Sequence, residues 1–216
     1  MSIKHYNSPK IRGIYELRKM GLPILDIKVL NLFKYDNNKL WNEIKKWAIM
    51  NNPFAFRTGI MKSNMREIGT PYLINININK DFNLNDLKDI RKNLINWIHK
   101  NVINKDYYLI LSQYVNKPIC NGIAIVNNGN INIEFIPRDL PDLARGKYTP
   151  TFKDKLYYNK DNGILYPCLI ISGKENANLI SLLIKAKNGI YEFGIGDVNG
   201  LYGVYFYEYK RRMSNE

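Results

Sequence analysis

The sequence predicts an α+β fold with a helix-containing first lobe, residues 1–104, and a β-rich second lobe, residues 105–216. Up to residue 100, several segments repeat apolar side chains every three or four residues, which is the spacing of an amphipathic helix. Beyond residue 105, short runs alternate apolar and polar residues and end at turn-forming dipeptides such as Asn128-Gly129. Helices and strands that are segregated along a chain in this way are typical of α+β proteins.

Each helix is predicted from the spacing of its apolar residues. In the first, Ile14 and Leu17 share one side, and Gly21-Leu22-Pro23 ends the helix because glycine suits the C-terminal cap and proline cannot continue it. Asn83 or Asn85 is expected to cap the longest helix. The predicted helices are residues 11–20, 38–50, 84–100 and 178–187.

Strands are predicted where apolar and polar residues alternate or where a short apolar run is bounded by turn residues. Asn128-Gly129 predicts a hairpin turn, and Asp161-Asn162-Gly163 predicts a second turn. Lys160–Gly163 also resembles the nucleophile motif of nucleotidyltransferases, but its third position is Asn, and we interpret it as a turn. The predicted strands are residues 24–30, 54–56, 72–78, 107–114, 122–126, 131–136, 191–195 and 204–209.

Composition indicates a folded protein of the reducing cytoplasm that could attract anions. Hydrophobic residues make up 45% of the 216, and no apolar run is long enough to span a membrane. The only cysteines, Cys120 and Cys168, form no C-x-x-C pair, so a zinc site or a disulfide framework is not expected. The net charge of +13 favours a polyanionic partner such as a nucleotide or nucleic acid; alternatively, the basic residues merely solvate the surface.

Five segments occur in an informative order along the chain. They are Lys10–Pro23, a lysine before a helix that ends in Gly-Leu-Pro; Phe54–Thr58, a strand that carries an arginine; Leu111–Ala124; Leu143–Pro150; and Tyr191–Lys210. In this order they resemble the N-terminal ATP-binding domain of the phosphoenolpyruvate synthase and pyruvate phosphate dikinase family. The resemblance implies an ATP-grasp fold for residues 1–216 as one unit of two lobes with antiparallel sheets and flanking helices. It also implies that Mg²⁺ and ATP bind between the lobes.

Two cations match the positions at which the family binds phosphate. Lys10 precedes the first helix and Arg57 lies at the end of the apolar strand Phe54–Phe56. Arginine offers a planar fork to phosphate oxygens, whereas lysine offers a point charge. The resemblance therefore implies that Lys10 and Arg57 are catalytic and nucleotide-binding residues. The alternatives are a solvated lysine and an ordinary surface ion pair.

Two carboxylates match the family's metal ligands. Glu192 and Glu208 lie on two strands that form a hairpin, and a register with an even residue sum would place both on one face of the sheet, whereas a slip by one residue would separate them. The resemblance implies that they bind Mg²⁺; alternatively, both are solvent-side residues of an amphipathic hairpin. Gln113 and Glu134 are further candidates for contact with the nucleotide, or else outward polar residues of alternating strands.

The sequence also departs from the family pattern. Arg138–Pro141 stands where the family has Gly-Leu-Gly-Glu, and neither His5 nor His99 resembles the family's phosphohistidine. We therefore expect a stand-alone ATP-grasp-like nucleotide-binding protein that cannot run the complete synthase reaction alone. ATP-dependent transfer of phosphate to a separate acceptor or partner protein is the activity that such a protein could have. The alternative is a non-enzymatic basic protein that uses a degenerate scaffold of this kind to bind nucleic acid or a ribonucleoprotein.

Overall fold

The computed structural model describes residues 8–31, 34–60, 72–76, 82–100, 107–136 and 149–211. Packing divides the chain into two compact units. The first comprises Met1–Arg12 and Leu25–Asn116, and the second comprises Gly13–Ile24 and Lys117–Glu216. Each contains an antiparallel sheet and helical segments, which confirms the predicted α+β class. The lobe boundary predicted at residues 104 and 105 stays a prediction.

Four helices and ten strands, numbered here in chain order, lie in the described residues. The helices are α1 (Pro9–Lys19), α2 (Asn37–Ala48), α3 (Leu84–Lys100) and α4 (Gly173–Leu183). The strands are β1 (Ile27–Asn31), β2 (Phe54–Ile60), β3 (Tyr72–Ile76), β4 (Tyr107–Gln113), β5 (Asn116–Asn127), β6 (Asn130–Ile136), β7 (Lys155–Asn159), β8 (Gly163–Tyr166), β9 (Gly189–Val198) and β10 (Leu201–Lys210).

The first unit contains a four-stranded sheet in the order β1-β4-β2-β3, with antiparallel neighbours throughout. Phe54 and Phe56 project from one face into a core that includes Leu40 and Ile44 of α2 and Leu87 of α3. Alternation along β2 therefore sends Arg57 to the opposite face. Helices α2 and α3 thus pack on one face of this sheet, and the candidate arginine lies on the other.

The second unit contains a six-stranded antiparallel sheet in the order β10-β9-β5-β6-β7-β8. One face carries the apolar core, to which α1 contributes Leu17 and α4 contributes Leu179 and Leu183. Gly13 lets α1 approach β10 closely, because a Cβ at this position would overlap the backbone oxygen of Tyr209. The other face carries the polar candidates described below.

The predicted hairpin turns are confirmed. Asn128 and Gly129 adopt φ values of 50° and 80°, which a two-residue type I′ hairpin requires, and they join β5 to β6. Gly163 adopts φ 80° after the turn at Asp161-Asn162, so Lys160–Gly163 is a turn as interpreted, between β7 and β8. The strands β7 and β8, which flank this turn, were not predicted from the alternation of apolar and polar residues.

The fourth helix begins five residues before its predicted start at 178 and ends at Leu183, not at 187. Ser172 caps it, because its hydroxyl accepts the backbone N–H of Glu175 while the Glu175 carboxylate accepts the backbone N–H of Ser172. The sequence contains this capping box, but the helix was predicted only from the spacing of its apolar residues, which begins after Ser172 and Glu175. For α3 the predicted bounds are confirmed, and Asn83, not Asn85, supplies the capping oxygen.

Some of the predicted features lie outside the described residues. These are His5, the last two residues of the strand predicted at 72–78, the Arg138–Pro141 departure and most of the Leu143–Pro150 segment. Among the residues that are described, no helix is long and apolar enough to cross a membrane. Cys120 and Cys168 are both buried and free, and burial raises the pKa of Cys120 to about 12, so neither thiol is poised to react at neutral pH.

Candidate functional site

A β-bulge places the two candidate metal ligands directly opposite each other. From the Asn199-Gly200 turn up to Phe206, β9 and β10 pair with an odd residue sum, as in Phe206 opposite Phe193. That register would pair Glu192 with Tyr207 and turn Glu208 to the other face. Instead, the register shifts between Phe206 and Glu208, so Glu208 lies opposite Glu192. One extra residue in β10 thus brings both carboxylates to one face of the sheet.

The carboxylate pair is partly shielded from solvent and shares one lysine. The side chains of Glu192 and Glu208 are 15% and 13% exposed, whereas that of Lys210 is 53% exposed. The Lys210 ammonium lies 2.7 Å from Oε1 of Glu192 and 3.5 Å from Oε1 of Glu208. Burial alone would lower the pKa of Lys210, but the charges of the two carboxylates outweigh it and leave the pKa above its usual value. The three groups together carry one net negative charge.

Tyr207, the bulge residue, is anchored beside this pair. Its hydroxyl donates a hydrogen bond to Oδ1 of Asn121, 3.0 Å away, and lies over Gly194. A Cβ at Gly194 would overlap that hydroxyl and approach Oδ1 of Asn121 to 2.8 Å, so only glycine leaves room for the contact. Since Gly194 and Glu192 share a face of β9, Tyr207 and Asn121 lie on the same face as the carboxylates.

Glu134 lies further along the same polar face. It is the cross-strand neighbour of Ile123, which shares a face of β5 with Asn121, and it is also opposite Lys155 of β7. The Lys155 ammonium lies 3.5 Å from Oε1 of Glu134, and both side chains are about half exposed, at 49% and 48%. The structure therefore brings Glu134 to the face that holds Glu192 and Glu208.

In the first unit, Arg57 and the start of α1 lie on the same face of the four-stranded sheet. Arg57 is the cross-strand neighbour of Ile110, and Ile110 packs in a small core cluster with Tyr108 and Ile11 of α1. Lys10 is the residue before Ile11, so the start of α1 sits on the face that carries Arg57. Both side chains are half-buried, not fully solvated. The roles of Lys10 and Arg57 in binding phosphate stay predictions.

Gln113 is engaged in local structure at the end of β4. Its side-chain oxygen accepts the backbone N–H of Asp26 at 2.9 Å, and its own backbone N–H donates to the Asp26 carbonyl at 3.0 Å. The side chain thus extends the pairing of β1 with β4 by one step. Its role in nucleotide contact stays a prediction.

Sequence reasoning missed Tyr207 and Asn121 and did not foresee that Lys210 bridges the carboxylate pair. The Asn199-Gly200 turn, with φ values of 53° and 83°, is a recognisable type I′ signal and predicts the odd register near the turn. A careful count from that turn would have placed Glu192 and Glu208 on opposite faces. Only the bulge, whose residue Tyr207 is hydrogen-bonded to Asn121 of β5, reverses that result.

The donor set suits a hard cation. Carboxylate oxygens are ligands that Mg²⁺ prefers, and Mg²⁺ commonly uses one or two protein carboxylates and completes its shell with water and phosphate oxygens. Glu192 and Glu208 supply two such groups. In the part of the chain that the structure describes, no cluster of three or more His, Cys, Asp or Glu side chains forms, so a site saturated by protein ligands is not indicated there.

No protein-family model and no curated protein sequence matches the chain. The fold of the chain is, however, similar to that of several solved structures. PH1788 from Pyrococcus horikoshii is 12% identical and superposes with a TM-score of 0.57 over 97% of this chain and 94% of its own. A dinucleotide-forming acetyl-coenzyme A synthetase from Ca. Korarchaeum cryptofilum, in complex with coenzyme A and Ca-AMPCP, is 9% identical with a TM-score of 0.51 over 93% and 90%.

Phosphoribosylamine–glycine ligase from Thermotoga maritima is 17% identical, with a TM-score of 0.52 over 98% of this chain and 49% of the ligase. The chain therefore spans about half the length of that enzyme and most of the length of the other two structures. These similarities concern backbone architecture, because the identities are too low to carry over individual side chains. The protein has the ATP-grasp fold.

Proposed function

We propose that this protein binds Mg-ATP and transfers phosphate to a separate acceptor, in the manner of the ATP-binding domain of phosphoenolpyruvate synthase. The observation that carries the proposal is the bulge in β10, which sets Glu192 and Glu208 opposite each other on the polar face of an ATP-grasp sheet. A strand distorted to pair two carboxylates, which repel each other, is best explained by a cation that binds them. The complex of the Korarchaeum synthetase with Ca-AMPCP agrees with a nucleotide ligand.

Each charged candidate side chain has a distinct task in this proposal. Glu192 and Glu208 would hold Mg²⁺, which when bound would neutralise phosphate charge and orient the phosphates. Arg57 would bind phosphate oxygens through its guanidinium fork, and Lys10 would add a point charge. Glu134 would accept hydrogen bonds from the nucleotide, as ribose hydroxyl groups can donate them.

The phosphoryl acceptor is proposed to be a separate molecule or a partner protein. Phosphoryl transfer needs mainly positioning and charge stabilisation. In the first unit Lys10 and Arg57 would supply positive charge, and in the second unit Glu192 and Glu208 would supply carboxylate ligands for Mg²⁺. Thiol chemistry is not part of the proposal, because Cys120 and Cys168 are buried.

Thermal unfolding with and without Mg-ATP tests the proposal. A ligand at a hundredfold excess over its Kd stabilises a protein by about 2.7 kcal/mol, so millimolar Mg-ATP should raise the Tm measurably. Arg57→Met and Glu192→Gln should each weaken binding by about tenfold or more, since each removes a charge-assisted contact.

Glu16→Gln is the matched control for Glu192→Gln. Glu16 also pairs with a lysine, Lys187, at 2.6 Å in the same unit, but it lies outside the proposed site. It should leave the nucleotide-dependent shift unchanged. Absence of any shift in the wild-type protein at millimolar Mg-ATP, or an equal shift in Glu192→Gln and the wild type, would contradict the proposal.

Binding of nucleic acid is a second candidate function, and the net charge of +13 favours it. Under this alternative, retention on single-stranded RNA or DNA should fall steeply with salt and should survive both Arg57→Met and Glu192→Gln. If the protein does not bind nucleic acid at low salt, this candidate is excluded. If Mg-ATP displaces bound RNA, the polyanion uses the nucleotide site.

A further inference from the structure

Lys210 lies against the two carboxylates that would hold the metal ion. Its ammonium contacts both carboxylates of the pair, at 2.7 Å from Glu192 and 3.5 Å from Glu208. Magnesium binds carboxylate oxygens at about 2.0–2.1 Å and carries two charges. An ammonium at hydrogen-bond distance from the same oxygen would crowd and repel such an ion. The two cations therefore exclude each other from the shared oxygens.

The position of Lys210 in the chain allows it to leave. It is the last residue of β10, and its side chain is 53% exposed although the carboxylates it contacts are only 15% and 13% exposed. Four rotatable carbon–carbon bonds let its ammonium move into solvent without any change in the strand. The carboxylates have less freedom to move, since their side chains are shorter and more deeply buried.

Electrostatics explains why the pair needs a cation at all times. Like charges directly opposite each other destabilise an antiparallel strand pair. With Lys210 in place, the three side chains carry one net negative charge. Without it, the two facing carboxylates carry two negative charges and repel each other. Either an ammonium or a divalent ion relieves this repulsion.

We propose that Lys210 is a built-in competitor of the divalent cation, which holds Glu192 and Glu208 together in the metal-free protein and must swing away when the metal binds. The inference rests on the proposed metal site and adds a regulatory residue to it. Lys210 thereby weakens the binding of free metal, and a metal that arrives with a nucleotide must displace it.

Titration of Mn²⁺ alone, by calorimetry or by the electron paramagnetic resonance of free Mn²⁺, tests this inference without any measurement of activity. Lys210→Met should bind Mn²⁺ about three- to tenfold more tightly than the wild type, because it removes a competing ion pair worth on the order of 1 kcal/mol. Lys210→Arg should resemble the wild type. Should Lys210→Met fail to fold, Lys210→Gln gives the same comparison and keeps a hydrogen-bond donor.

Lys187→Met is the matched control, because Lys187 is an ion-paired lysine of the same unit that lies 2.6 Å from Glu16. It removes the same charge and should leave Mn²⁺ binding unchanged. A further check is the Tm of metal-free Lys210→Met, which should be lower than that of the wild type and should recover when Mn²⁺ is added.

The outcomes separate the two proposals. If the wild type binds Mn²⁺ through Glu192, as shown by loss of binding in Glu192→Gln, but Lys210→Met binds no more tightly, the competitor role is wrong and the metal site stands. If Lys187→Met gains affinity as much as Lys210→Met does, a general charge effect replaces the specific competitor. If neither the wild type nor Lys210→Met binds Mn²⁺, both the metal site and the competitor role are wrong.

Discussion

Asn176 shows how a single buried side chain organises the segment that precedes α4. Its amide nitrogen donates to the carbonyls of Cys168, Ile171 and Ser172, and its oxygen accepts the backbone N–H of Cys168 at 3.1 Å. The residue is 2% exposed, so these backbone groups have little access to water as a replacement partner. Asn176 thus supplies hydrogen-bond partners to backbone groups of an irregular segment that has no neighbouring strand to pair with.

Asn176→Ala should destabilise the protein by about 2–3 kcal/mol, because it leaves several buried backbone groups unsatisfied. Urea denaturation would measure the change. The control is Asn178→Ala, two residues further along α4, where the side chain is exposed. That change should stay within about 0.5 kcal/mol of the wild type. Equal effects of the two substitutions would contradict the role assigned to Asn176.

The ion pair of Lys28 and Glu43 predicts that the free energy of unfolding depends on pH in the acid range. A hydrogen bond from the Lys28 ammonium, 2.8 Å away, holds the pKa of Glu43 below its usual value of 4.5. A carboxyl with a lowered pKa binds fewer protons in the folded state than in the unfolded state. Its contribution to stability is therefore present above pH 4.5 and is lost as the pH falls through the folded pKa.

Glu43→Gln should therefore flatten the fall of the unfolding free energy with decreasing pH in the acid range, at a cost of no more than about 1 kcal/mol at neutral pH. Denaturation at a series of pH values would show it. Lys28→Met should flatten the curve in part, because Lys46 also lies 3.5 Å from Glu43 and also lowers the pKa of Glu43. Adding Lys28→Met to Glu43→Gln should flatten the curve no further. An unchanged acid slope in Glu43→Gln would show that the pair does not contribute.

At the scale of elements, neighbouring residues determine where helices begin and where strands turn. The bulge in β10, in contrast, is accompanied by a contact between residues far apart in the chain. The type I′ turns at Asn128-Gly129 and Asn199-Gly200 follow from residues that tolerate positive φ. The bulge at Tyr207 has no comparable local signal. Tyr207 reaches Asn121 of β5, a strand on the far side of β9.

The start of α4 gives a prediction for an element. Ser172→Ala should destabilise the protein by about 1 kcal/mol, because it removes one half of the capping box and leaves the N–H of Glu175 without its acceptor. Chemical denaturation would measure it. Ser181→Ala, an exposed serine within the same helix, should change stability by less than about 0.5 kcal/mol. A larger effect at Ser181 than at Ser172 would contradict the assignment of the cap.

For the whole molecule, the net charge of +13 predicts a stabilising effect of salt. Self-repulsion disfavours the compact state, and salt weakens it as the Debye length falls from about 30 Å at 0.01 M to about 8 Å at 0.15 M. The Tm should therefore rise by a few degrees over this range, as differential scanning calorimetry can measure. A Tm that falls with salt would show that the ion pairs outweigh the excess positive charge.

The sequence by itself determined the α+β class, the hairpin turns and most elements, because spacing of apolar residues and the demands of positive φ act over a few neighbouring positions. It also singled out Glu192, Glu208, Arg57 and Lys10. Only the tertiary structure decided that Glu192 and Glu208 face each other with Lys210 between them. The reason is physical: a single inserted residue reverses the face of every side chain beyond it, and the contacts of Tyr207 with Gly194 and Asn121 join residues far apart in the chain.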